Sequence, residues 1–145
     1  MGDTIKIDNL NIERDLLLGT ASCTNGCKYK YDEGIESGTL SLTFIDKNAN
    51  SVSFETPFAL ESTSNIKKTG QITLPVDNII IKSSPTGNNF YILMKNFGLP
   101  KGTTSAKAVY SLFSSGTTAS KVLSTTPDSL IKNNKSSIIG DYILQ

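Results

Sequence analysis

Between positions 39 and 60 the chain alternates apolar and polar residues with a period of two, broken once. Leu40, Leu42 and Phe44 fall on one side of the first run and Thr39, Ser41 and Thr43 on the other. Val52, Phe54, Phe58 and Leu60 answer after the polar stretch Asp46-Lys47-Asn48-Ala49-Asn50. A side-chain period of two is that of a strand with unlike faces, because successive side chains leave a pleated backbone on opposite sides. The spacing therefore predicts a β-hairpin with its loop at 46–50.

Other segments repeat this pattern. Ile5 and Ile7 alternate, then Leu10 and Ile12 with the phase shifted across Asp8-Asn9, which a bulge would accommodate. Ile72, Leu74 and Val76 form another set with Pro75 on the opposite side, the mark of an edge or a strand end. Ile79-Ile80-Ile81 and Phe90-Tyr91-Ile92-Leu93-Met94 flank the turn cluster Ser83-Ser84-Pro85-Thr86-Gly87-Asn88-Asn89, and are expected to pair as a hairpin. Strands are also expected over 106–113, 121–123 and 138–144, and the polar stretches 62–69 and 117–126 read as exposed loops or a flexible edge. Thr126-Pro127-Asp128, followed by Lys132-Asn133, has the order of a cap, a first-turn proline and a stop, so one short helical turn is expected near 127–133.

About eight to ten short strands separated by turn residues give an all-β fold, an antiparallel β-sandwich of jelly-roll or Ig-like type. Residues 1–18 read as an N-terminal arm or a first strand, and 19–145 as a single sandwich domain. The composition agrees: Ser, Thr, Asn and Gly are abundant, and only 19% of the 145 residues are charged.

Several functions are disfavoured by the same residues. Fourteen basic against 13 acidic side chains leave a net charge of +1, too little to attract a phosphate backbone, so nucleic acid is not expected as a partner. The longest aliphatic runs, Leu16-Leu17-Leu18 and Ile79-Ile80-Ile81, fall far short of a membrane span. The opening residues show no secretion or lipidation signal, and no membrane partner is expected. With no histidine in the chain, a histidine-based triad cannot be built from it alone.

Each chemically suggestive cluster has a plainer reading. Cys23 and Cys27 flank the turn residues Thr24-Asn25-Gly26. They form either a thiol pair, the favoured reading, or a disulfide closing a very short loop, and are too few for a zinc site without histidine. Asp46, Asn48 and Asn50 copy the start of a calcium loop, but Ser51 and Pro57 stand where glycine and the bidentate glutamate belong, so a hairpin loop is the better reading. Asp32, Glu33 and Glu36 beside Tyr29 and Tyr31 offer carboxylates for glycoside hydrolysis, yet they sit in a turn flanked by Gly34 and Gly38 and read as solvated. Gly98-Leu99-Pro100-Lys101-Gly102 lacks the spacing of a phosphate loop. Asn134-Lys135-Ser136 is the one glycosylation triplet. No cofactor, catalytic group or metal is expected.

The Lys/Asn/Ile skew (15 Ile against 4 Val, Arg14 the sole arginine), the Ser/Thr/Gly content and the strand pattern opened by Ile5-Lys6-Ile7-Asp8 resemble small β-rich virion proteins of tailed phages. That resemblance implies a non-enzymatic structural component of the virion, made in the host cytoplasm, such as a capsid decoration, head-fibre base or tail protein. Its partners would be other copies of itself and a larger viral structural protein, met through sheet edges and an N-terminal arm carrying Ile5, Ile7, Leu10, Ile12, Leu16, Leu17 and Leu18. The alternative is a carbohydrate-binding sandwich using Tyr29, Tyr31, Tyr91, Tyr110 or Tyr142 as stacking platforms.

Overall fold

The computed structural model describes Thr4 and residues 19–98, 106–118, 120–132 and 136–145. The chain divides between residues 35 and 36 into two units.

In the first unit β1 (Gly19–Ser22) and β2 (Lys28–Tyr31) pair antiparallel, Ser22 opposite Lys28. The Asn25-Gly26 turn brings the α-carbons of Cys23 and Cys27 to 4.1 Å, and the two sulfurs are joined. The favoured thiol pair is thus replaced by an exposed disulfide, because a turn that closes the hairpin also sets its flanking cysteines side by side.

The second unit begins with β3 (Ser37–Ile45), β4 (Ser51–Ser62), α1 (Thr63–Thr69) and β5 (Gln71–Leu74). It continues through β6 (Ile79–Ser83), β7 (Phe90–Lys95), β8 (Ala108–Ser114), β9 (Val122–Thr126), β10 (Leu130–Ile131) and β11 (Gly140–Leu144). Six strands form one antiparallel sheet in the order β10-β11-β8-β7-β4-β3, and three form another in the order β5-β6-β9. Alternation explains the core between them. Ala59, Tyr91, Leu93, Tyr110, Leu112 and Tyr142 come from one sheet, Ile72, Leu74, Ile79 and Ile81 from the other, and all belong to one buried cluster. This is the expected all-β sandwich, and the hairpin at 39–60 has its loop at the expected residues.

Three local expectations are overturned. Segments 79–83 and 90–95 are not a hairpin: β6 pairs with β5 and β9, whereas β7 pairs with β4 and β8. Both carry apolar residues that must be buried, and the intervening chain crosses between sheets, held where Asn89 and Thr63 exchange hydrogen bonds. The polar stretch after β4 is a helix instead of a loop. The Ser62 hydroxyl accepts from the Asn65 amide, Ile66 is fully buried, and Gly70 takes the left-handed φ of 75° that lets its amide close on the Ile66 carbonyl. Helix is absent near 127–133, where the described residues hold a single turn, Leu130 amide to Pro127 carbonyl. Leu130 and Ile131 then pair with Leu144 and Ile143. Burial of Leu130 at 2% exposure in that ladder prevails over the local helix signal. Residues 122–126, within the stretch read as exposed loop or flexible edge, form β9, an outer strand of the three-stranded sheet.

Candidate functional site

The β3–β4 hairpin is longer than the sheet it belongs to. β4 pairs with β3 along all of Ser51–Ala59 but with β7 only over Phe58–Ser62. Proline sets that limit. Pro57 has no amide hydrogen for the next rung, and the neighbouring Thr56 hydroxyl donates to the Lys95 carbonyl instead, at 2.9 Å. Beyond this point the hairpin continues as a two-stranded ribbon whose residues from 41 to 55 are all exposed.

One face of the ribbon is apolar. Leu42 lies opposite Phe54 and Phe44 opposite Val52. The Phe44 and Phe54 rings meet edge to face at 6.0 Å, and Phe54 meets Phe97 at the same distance. Burial would ordinarily hide such residues, yet Leu42, Phe44, Val52 and Phe54 remain 38–52% exposed. The other face is polar: Thr43 and Ser53 share a 2.8 Å hydrogen bond, and Ser41 donates to Glu55. At the base of the ribbon the Phe58 ring covers Gly38, filling the space a β-carbon there would occupy.

The ribbon's outer strand is also a sheet edge. β3 ends the order of the six-stranded sheet, and its segment Ser-Gly-Thr-Leu-Ser-Leu-Thr-Phe-Ile carries no charge and no proline. The Asp46 amide donates to the Asn50 carbonyl, and the Leu60 amide to the Glu36 carbonyl. In an antiparallel ladder these bonds put even-numbered residues in the hydrogen-bonded pairs, so the N–H and C=O of Thr39, Ser41, Thr43 and Ile45 point away from β4. The loop at the tip is held by Asp46. Its carboxylate accepts from the Asn48 and Asn50 amides and the Asn50 side chain, which hold its pKa below 3.8. Those bonds occupy the carboxylate in turn formation, in keeping with the hairpin-loop reading.

A cleft of about 320 Å³ lies beside the ribbon base, between Phe54, Thr56, Val76, Asp77, Lys95 and Phe97. Behind it, the Tyr110 hydroxyl donates to Asp77 at 2.9 Å and Lys95 pairs with the same carboxylate oxygen at 3.4 Å.

The residues singled out in the sequence are scattered. Ile5, Ile7, Leu10, Ile12, Leu16, Leu17 and Leu18 lie outside the described residues. Tyr91, Tyr110 and Tyr142 are core residues, 0–1% exposed, and so are removed as sugar platforms; Tyr29 is exposed. Asp32, Glu33 and Glu36 are exposed. Among the described residues no group of three metal-ligating side chains occurs, and no helix is long and apolar enough to cross a membrane. The ribbon face is the feature that sequence reading missed. Its alternation was visible, but Pro57, which exposes it, could equally have marked a strand end.

No protein-family model, curated protein or solved structure matches the chain.

Proposed function

We propose that the chain is a non-enzymatic assembly protein that forms homo-oligomers and docks through sheet-edge contacts. The observation supporting this is the β3–β4 ribbon, an uncharged nine-residue edge strand backed by an exposed apolar face. Edge strands in monomeric proteins are shortened, bulged, charged or interrupted by proline, since an open row of amides and carbonyls recruits another strand. None of these devices occurs along β3. The composition favours placing the protein in a phage virion, where many copies of a small sandwich bind a larger structural protein.

The sugar-binding alternative loses ground because three of its five tyrosines form the core. Absolute mass by light scattering, measured over a concentration series, tests the assembly reading. A defined multimer of the 15.6 kDa chain is expected, and a monomer at every concentration overturns it.

A further inference from the structure

We infer that the partner at the β3 edge is β3 of a second copy, paired antiparallel about a two-fold axis at Leu42. This rests on the assembly reading and specifies one of its contacts. A sheet edge is completed by a strand, because only an extended backbone offers amides and carbonyls at matching spacing. Thr39, Ser41, Thr43 and Ile45 present theirs outward. With the axis at Leu42, Thr39 lies opposite Ile45 of the other copy and Ser41 opposite Thr43, forming about eight backbone hydrogen bonds.

Self-pairing is the demanding case for a strand, since two-fold symmetry sets each charge against or near its own copy. Residues from Ser37 to Ile45 carry none. Their faces are compatible: Leu42 meets Leu42 and Leu40 meets Phe44 on one side, while on the other Ser41 meets Thr43 and the methyl of Thr39 meets Ile45. Moving the axis to Ser41 would set Phe44 against Gly38, whose open side the Phe58 ring already fills. The other outer strands are less suited. β10 has two residues, β5 has four and runs into Pro75, and β9 runs into Pro127.

The full chain supplies the test. Across the axis the two Leu42 residues form a non-hydrogen-bonded pair with α-carbons about 4.5 Å apart, within disulfide reach. Leu42→Cys is expected to give a covalent dimer under mild oxidation. Phe44→Cys is not, because four residues of offset separate its copies by about 14 Å. Cys23 and Cys27, the only native cysteines, are already joined. Ser41→Pro removes an amide that the ribbon does not use internally and should halve the mass of a dimer while leaving the circular dichroism spectrum unchanged. A parent chain that is always monomeric overturns both this pairing and the assembly reading. A multimer that neither cross-links selectively at position 42 nor responds to Ser41→Pro overturns this pairing alone. Equal cross-linking at 42 and 44 also overturns it.

Discussion

The buried phenols of Tyr110 and Tyr142 make alkaline stability a measure of the core. Burial raises both pKa values well above 10.0, and for Tyr110 the hydrogen bond to Asp77 and the carboxylate's charge add to the effect. Below pH 10 both tyrosines are protonated whether the chain is folded or not. Above it, the unfolded chain releases their protons and the folded chain retains them, so stability falls as pH rises. Tyr142 contributes a loss of about 1.4 kcal/mol at pH 11 and about 2 kcal/mol at pH 11.5, and Tyr110, whose hydroxyl meets the half-exposed Asp77–Lys95 pair, a smaller one after screening by solvent. Together they remove about 2 kcal/mol at pH 11, a sizeable part of the 5–15 kcal/mol typical of a domain. Lys132 acts oppositely: burial lowers its pKa against the attraction of Asp141, so its contribution rises with pH and levels off above 10.5. Urea unfolding followed by circular dichroism between pH 9 and 11.5 should therefore steepen downward beyond 10.5. Tyr142→Phe should remove more than half of that slope. Its lost hydrogen bond to the Ile138 carbonyl, 2.5 Å long, shifts the whole curve by about 1 kcal/mol without bending it. An unchanged slope in both Tyr110→Phe and Tyr142→Phe would refute the reasoning.

Four further outcomes are expected in urea titrations near neutral pH. Ile66→Ala, which empties the one fully buried apolar position of α1, should cost about 2–4 kcal/mol, and Ser62→Ala about 1 kcal/mol through loss of the cap. Thr56→Val keeps the shape but strips the Lys95 carbonyl of its donor, a loss of about 1–3 kcal/mol together with faster amide exchange in β7. Gly70→Ala should cost about 1–2 kcal/mol, because its left-handed φ crowds a β-carbon even where space is open.

Much of the sandwich was legible because a strand's period is a property of consecutive residues. Leu40 to Phe44 and Val52 to Leu60 identified their hairpin, and the Asp46 loop supplied its turn. Partner choice is not local in this way. Ile79 to Ile81 and Phe90 to Met94 carry the same signature whether they pair side by side or face each other across a core, and only the packing decides. Helix α1 was obscured by its length, since seven residues with one buried isoleucine show no periodic stripe. Its Ser62 cap, Lys67-Lys68 and Gly70 were nevertheless present as end signals. The ribbon surface was least legible, because exposure of Phe44 and Phe54 follows from where pairing with β7 stops, and Pro57, which sets that limit, reads in the sequence as a strand end just as well.

Proline at position 57 also divides the mutational burden of β4. Phe58 and Ala59 pair with both β3 and β7, and Leu60 to Ser62 with β7, so a change there is felt in the body of the sheet. Residues from Ser51 to Glu55 pair with β3 alone, and of them Phe54 also meets the Phe97 ring. Under the proposed assembly role, sequence drift at the tip would alter what the ribbon binds while leaving the fold's stability almost untouched, so that binding could diversify on a constant scaffold.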